Sequence, residues 1–264
     1  GTLVGTVKFE GNVPSLAALI KQGDKTVKDP DICGVAGVPD ESLLVDSATK
    51  GLANVIIFLD KKPANIKAEL KAPPTTPIFF DQKGCRFLPH VLLVRVDQPL
   101  KVLSADPIAH NTHTFPNRNQ QRNAIINPND RVGVDCTYSQ PESLPVGVVC
   151  DLHSWMKAYH FPLDHPYAAI TDAEGKFKIE GLPAGKQAFK VWHERGGLLE
   201  RKLEIVITAD GEVQKDLTFE ASRLNAGTMP ASQKRVKIAA LEQGGNVNLT
   251  STKSRNPGLQ SAAN

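Results

Sequence analysis

The sequence predicts an all-β protein, and two observations carry that prediction. Apolar residues fall in short runs or alternations bounded by Gly, Pro, Asn and Asp, the pattern of strands and turns. Amphipathic helical spacing is confined to Ser15–Gln22 and Val236–Gln243. In chain order the first strand is Gly5–Glu10, where Val7 and Phe9 alternate with Thr6 and Lys8. Ala53–Asp60 follows as an apolar run from Val55 to Leu59. Val91–Val96 is a second such run, and Leu100–Leu103 begins just after Pro99. Val146–Cys150 is rich in Val. Phe177–Glu180 alternates Phe177 and Ile179 with lysines, Ala188–Trp192 alternates around Phe189 and Val191, and Leu203–Thr208 and Val213–Phe219 close the series. Many strands at short spacing with few helices mean sandwiches or barrels.

Composition narrows the class. The 264 residues are 41% hydrophobic and 22% charged, enough for a substantial core, and no apolar run is long enough for a membrane-spanning helix. The 20 Gly and 19 Pro are scattered, which excludes a collagen-like repeat. The net charge of +3 is uneven. Residues 223–264 hold six Lys and Arg against Glu242 alone, so the rest of the chain is slightly acidic. A nearly neutral body is not the clustered basic face that nucleic-acid binding requires. Residues 223–264 also lack Phe, Trp and Tyr. Such an extended basic tail orders mainly by lying on something else, its own body or a neighbouring subunit in a homo- or hetero-oligomer. The chain opens without a charged, apolar leader, so an extracytoplasmic location presumes a signal peptide already removed.

The residues that carry chemistry lie at Val146-Gly-Val-Val-Cys150-Asp-Leu-His153-Ser-Trp-Met156. Thiolate, imidazole and thioether are the donors that copper selects and calcium or magnesium do not. A loop at a strand end can curl all three toward one point, whereas a straight strand would alternate them between faces. A second imidazole is available in Asp106-Pro-Ile-Ala-His110-Asn111-Thr112-His113, which follows the strand Leu100–Leu103.

This pair of motifs, His-Asn-x-His followed by Cys-x2-His-x2-Met, resembles the cupredoxins, the plastocyanin-like Greek-key β-sandwiches, and in particular their short-loop amicyanin type. The resemblance spans about residues 76–163, including the strands within Ile78–Asp106 that lead to the first motif. It implies one type 1 copper held by His110, Cys150, His153 and the axial Met156. Asn111 is then expected to hydrogen-bond to the Cys150 loop, and the exposed edge of His153 to be the electron port. The segments before and after this region, and the insertion Thr137–Pro145, depart from the small single-domain members. His113 reads as a packing or hydrogen-bonding residue and His90 as structural. A second metal site from His160, His165 and His193 would require two domains to meet.

With Cys150 assigned to copper, three cysteines remain. One disulfide plus one buried free thiol is the simplest arithmetic. Cys33 with Cys85 is the preferred pair, because Cys136 lies in an alternating run with Val132 and Val134 and reads as a small core residue; the other pairings stay open.

A second resemblance lies in Ile170–Phe219. Thr171-Asp-Ala-Glu-Gly175, an alternating strand and Leu182-Pro-Ala-Gly185 make a hairpin signal. With Gly5-Thr-Val7 and Ala53–Leu59 at the N-terminus, they resemble the carboxypeptidase regulatory-like, or transthyretin-like, β-sandwich. That implies N-terminal strands in 1–70 completed by 164–222, a cupredoxin at 71–163 between them, and the tail from 223 to 264. The alternative is three consecutive units with the N-terminal strands packing on the cupredoxin, and contacts between Val55–Leu59 and the strands of Phe177–Val191 decide between them. Such domains position partners rather than catalyse, and Trp155 and Trp192 are candidate interface anchors, with core packing favoured for Trp192.

Two functions follow. One is a periplasmic or extracellular copper protein that passes single electrons to and from a redox partner protein. The other is a structural or assembly protein that keeps the cupredoxin only as a scaffold and binds neighbouring subunits through the tail. No catalytic motif such as Gly-x-Ser-x-Gly or His-Glu-x-x-His occurs, and a four-ligand site leaves no open position for substrate. The expectation is therefore not an enzyme.

Overall fold

The computed structural model describes residues 1–225. Its elements are β1 (Thr2–Glu10), α1 (Pro30–Ala36), β2 (Ile56–Leu59), α2 (Ala68–Lys71), β3 (Ile78–Gln82), β4 (Phe87–Leu88), β5 (Val91–Arg95), β6 (Leu100–Ser104), β7 (His110–Phe115), β8 (Asn123–Ile126) and β9 (Val134–Asp135). They continue with β10 (Val146–Val149), β11 (Lys157–Leu163), β12 (Ala168–Ile170), β13 (Lys176–Ile179), β14 (Gly185–His193), β15 (Gly197–Ile207), β16 (Glu212–Gln214), β17 (Leu217–Glu220) and α3 (Ala221–Asn225). The protein is all-β. The basic tail from residue 226 onward, with its Val236–Gln243 periodicity, lies outside the described residues.

Strands of period two bury alternate residues on opposite faces, and this chain uses both faces of its central strands. One sheet runs β13-β1-β16, with β17 also on β1, and a second runs β12-β2-β14-β15. Leu3, Val7 and Phe9 of β1, Ile57 and Leu59 of β2, Phe177 of β13, and Phe189 and Val191 of β14 share the core between them. The intervening residues of β2, Ile56 and Phe58, instead join Trp192, Tyr159, Phe161 and Leu163 in a separate buried cluster. There the rings of Phe58 and Phe161 meet edge to face at 4.7 Å. Strand β2 is thus buried on both sides, which is why Val55–Leu59 reads as a continuous apolar run rather than an alternation.

Strand β11 carries the third sheet, β5-β11-β10-β7-β8, which faces a fourth, β4-β3-β6-β9. Phe80, Phe87, Val94, Leu100, Val102, Val148 and Ala158 fill the core of this second sandwich. Ala158 therefore points inward while its neighbours Tyr159 and Phe161 point into the seam with the first sandwich. Strand β2 pairs with β14, Leu59 opposite Phe189 and Ile56 opposite Trp192, so residues before and after the second sandwich build the first. Trp192 is a core residue of the seam.

The N-terminal segment 1–70 does not stay together. Leu3 through Phe9, Leu43 and Val55–Leu59 belong to the first sandwich, whereas Ile20, Cys33 and Val38 are buried in the second core. Ser15–Gln22 is not helical. Eight residues are too few to sustain a helix unaided, and Ile20 instead makes a two-way backbone bridge with Val38 (3.2 and 2.9 Å). The helix in this region is α1, opened by Pro30 at its first turn. Cys33 and Cys85 form a disulfide, and Cys136 is a buried free thiol. Among the described residues no helix is long and apolar enough to cross a membrane.

Candidate metal centre

Strand β10 ends at Val149, and the chain then turns back into β11 through Cys150–Met156. Two backbone bonds close this turn: Met156 N–H donates to His153 O (2.9 Å), and Cys150 N–H donates to Met156 O (3.2 Å). The turn is therefore a tight knot that points Cys150 and His153 toward the neighbouring strand β7, which begins at His110. Cys150 Sγ lies 4.0 Å from His110 Nδ1 and 3.7 Å from His153 Nδ1, and the two Nδ1 atoms are 3.0 Å apart. All three residues are buried. A point equidistant from three atoms so spaced lies about 2 Å from each, the length of a bond from a first-row metal to imidazole or thiolate. The donors fit an ion. Met156 is buried in the same core cluster as Cys150.

The two imidazoles are oriented by carboxylates on their far nitrogens. Asp106 Oδ2 is 2.9 Å from His110 Nε2, and Asp29 Oδ2 is 2.9 Å from His153 Nε2. An Nε2–H donated to a carboxylate leaves Nδ1 free to face the centre, the usual arrangement for a metal-bound imidazole. Asp106 is itself fixed by the backbone N–H groups of Gly84 (2.6 Å) and Cys85 (2.8 Å).

Asn111 ties the two loops together. Its side-chain oxygen accepts from the backbone N–H of Asp151 (2.7 Å) and of Leu152 (3.3 Å), and lies 3.2 Å from Cys150 Sγ. Its Nδ2 donates to Asp151 (2.8 Å) and Asn123 (2.7 Å), while its backbone N–H points at Cys150 Sγ (3.4 Å). These interactions set the protonation of the centre. Burial alone would raise the Cys150 thiol, but hydrogen bonds from His110, His153 and the Asn111 amide outweigh it and bring the pKa down to about 6. Burial would likewise lower His110, but Asp106 and Cys150 outweigh it and lift the imidazole to about 9. The surroundings of Cys150 thus favour its thiolate, the form that binds metal.

His153 departs from the expectation of an exposed edge. It is 0% exposed: the segment that leads into α1 lies across it and places Asp29 on its Nε2. The ring next to it is Trp155, at 5.2 Å between centroids and only partly buried.

The other histidines serve structure. His113 hydrogen-bonds Asp151 (3.0 Å) and Gln121 (2.5 Å). His90 pairs with Glu194 across the seam between the sandwiches. Among the described residues His160, His165 and His193 do not converge into a metal-sized group; the groups that do are His110, Cys150 and His153, and the overlapping set Cys85, Asp106 and His110, in which Cys85 is spent in the disulfide. Sequence reading missed Asp106 and Asp29. The first has a local signal, standing four residues before His110 after a strand. The second has none, since it is 124 residues from its partner.

No protein-family model matches the chain, and no curated protein matches it. Among solved structures it is similar to a Cu-containing nitrite reductase from Thermus scotoductus SA-01, at 17% identity over 39% of this chain and 25% of that one, TM-score 0.31. It is also similar to a reduced amicyanin variant, at 13% identity over 38% of this chain and 97% of that one, TM-score 0.29. A purple cupredoxin from Nitrosopumilus maritimus matches at 12% identity over 32% of this chain and 98% of that one, TM-score 0.27. This chain thus spans a quarter of the reductase's length and about a third of itself aligns with the small cupredoxins.

Proposed function

We propose that His110, Cys150, His153 and Met156 would hold a single type 1 copper ion, and that the protein passes single electrons between redox partners outside the cytoplasm. The observation that carries this reading is the triangle of two imidazole nitrogens and one sulfur, closed at 3.0, 3.7 and 4.0 Å and buried. Two imidazoles, a thiolate and a nearby thioether form the donor set of an electron-transfer copper. When bound, the ion supplies a one-electron couple.

The chain's own residues supply rigidity. Asp106 and Asp29 orient the two rings, Asn111 anchors the sulfur loop, and the backbone knot of Cys150–Met156 fixes the turn. Donors held this way shift little when one electron arrives, so little reorganisation opposes transfer. With His153 covered, the route to the surface runs through the indole of Trp155. The first sandwich, read as carboxypeptidase regulatory-like, positions the partner.

The test is a potentiometric titration of the copper-loaded protein. One reversible one-electron wave, with one copper per chain, is the expected result. Absence of a wave in protein that retains its β signature overturns the electron-transfer reading and leaves the scaffold role.

A further inference from the structure

The loop from Ile20 to Val38 is closed at its neck, where those two residues bridge each other and are buried in the second core. Its tip crosses the candidate metal centre. Two properties of Asp29 at this tip bear on its role. It stands at the N-cap of α1 in the left-handed backbone region (φ 51, ψ 54), a conformation costing an L-residue roughly 1–2 kcal/mol. Its side chain makes no capping bond to α1, although Asp at that position ordinarily does so. The carboxylate instead reaches His153 Nε2 at 2.9 Å.

The second anchor of the tip is covalent. Cys33, one turn into α1, donates its N–H to Asp29 O (2.9 Å) and is disulfide-bonded to Cys85. Cys85 in turn donates its backbone N–H to Asp106, the carboxylate on the other imidazole (2.8 Å), and accepts from Trp155 Nε1 at its carbonyl (3.2 Å). One bridge therefore joins the loop that carries Asp29 to the Gly84–Cys85 turn that holds Asp106. The two sides are held unequally. Asp106 keeps its bonds from Gly84 and Cys85 whether or not the sulfurs are joined, whereas Asp29 depends on the loop tip staying down.

We propose that Asp29 is a positioning residue for His153, and that the Cys33–Cys85 bridge delivers it by pinning the loop tip over the ring. The bridge, whose two cysteines are buried in the second core, then keeps the His153 edge covered, and its removal opens that edge; a dithiol is the class of reagent that cleaves it. Thiol–disulfide exchange converts the bridge to two thiols, each gaining one proton, while the dithiol becomes a cyclic disulfide. The inference rests on the metal-site reading for its purpose, but its geometry is testable without metal.

The experiment uses the metal-free full chain and modification of His153 by diethyl pyrocarbonate, read by peptide mass spectrometry. The His153 tautomer is followed by nitrogen-15 NMR in the same samples. In the oxidised wild type His153 is protected and carries its proton on Nε2. Removing the bridge, by the Cys33→Ala/Cys85→Ala double variant and by dithiothreitol where alkylation of Cys33 and Cys85 verifies cleavage, is expected to open His153 to modification. Asp29→Ala does the same with the bridge intact, and Asp29→Asn, which still offers an acceptor, restores the tautomer. In the Asp29→Ala background cleavage leaves the tautomer unchanged. A His153 that stays protected after verified cleavage, or an Asp29→Ala protein with wild-type tautomer and labelling, overturns the proposal. A parallel Cu(II) titration separates this inference from the reading beneath it. Copper bound by the wild type about 10- to 100-fold more tightly than by Asp29→Ala supports the positioning role. No copper binding by either protein, with the labelling pattern intact, leaves the loop mechanism standing and removes the metal reading.

Discussion

His110 and His153 face each other through their Nδ1 atoms at 3.0 Å, and each has a carboxylate on its opposite nitrogen at 2.9 Å. Two imidazoles so aligned, with the Cys150 sulfur closing the triangle, are arranged around a point rather than around each other. A hydrogen bond between two buried histidines needs only one acceptor. It does not need both far nitrogens clamped and a thiol brought to within 4.0 Å as well. The testable consequences concern the clamps, the route outward and the architecture that supports them.

Asn111 is the cross-loop tie. Asn111→Ala leaves the backbone N–H groups of Asp151 and Leu152 without their acceptor and frees the Cys150 loop. These donors are only partly buried, so the metal-free variant is expected to lose about 0.5–1.5 kcal/mol per lost hydrogen bond in urea unfolding. Its copper-loaded form should release metal faster than wild type. Wild-type stability in the variant would contradict the tie.

Trp155 is the partly buried ring against a fully covered His153. Trp155→Ala is expected to slow electron self-exchange severalfold while the visible absorption stays that of the wild type, because the indole lies beyond the donors. Unchanged exchange kinetics, measured by NMR line broadening, would place the route elsewhere.

The seam between the sandwiches carries a buried ion pair. Glu194 meets His90 and lies 3.7 Å from Lys157. Burial would raise the Glu194 carboxyl, but the bond from His90 outweighs it and takes the pKa down to about 2. Burial would lower His90, and Glu194 outweighs it to raise that ring above its usual 6.5. The Glu194 contribution is therefore present above about 4.5 and lost as pH falls through about 2. The His90 contribution is present below 6.5 and lost as pH rises through its raised value. Removing one member of a buried pair costs about 3–5 kcal/mol. Glu194→Ala is expected to show a loss of that size by urea unfolding at pH 6, and a much smaller effect would demote the pair.

Three other histidines are buried as neutral rings. Burial lowers His160 to about 3, and His165 and His193 to about 4. Tyr138 O–H to His160 Nδ1 at 3.0 Å is the kind of bond a neutral ring accepts. The unfolded chain binds protons at these positions below about 6.5 while the fold does not. Stability is thus complete above that pH and falls as acid is added, by up to about 1.4 kcal/mol per pH unit for each ring. Urea midpoints between pH 7 and 5 measure the slope, and His193→Gln should reduce it by one proton. A variant slope equal to wild type would contradict the assignment.

Much of this was legible in the sequence because local chemistry dictated it. Alternation at Val7 and Phe9 marked β1, and Cys150 and His153 stood out by residue type and spacing; the structure brings them together with His110. Other elements were hidden for physical reasons. Strand β7 is buried along both faces from His110 to Thr114 and so shows no period of two. In β11 Pro162 masks a strand that pairs in parallel with β5. The apolar residues of Ser15–Gln22 share no face: Leu16 packs on the first core, Ile20 is buried in the second, and Leu19 is exposed. The cover over His153 was illegible altogether. Asp29 reaches its partner 124 residues away through contacts equally remote in sequence, among them the Cys33–Cys85 bridge.

That Cys150 and the two imidazoles hold one copper ion is best tested by the visible absorption spectrum of the Cu(II)-loaded protein. An intense thiolate-to-copper band is expected in the wild type, bleached on reduction with ascorbate and absent in Cys150→Ser, whose β fold persists by circular dichroism. A wild type with bound copper and no such band, or a Cys150→Ser protein that keeps it, would overturn the ligand assignment.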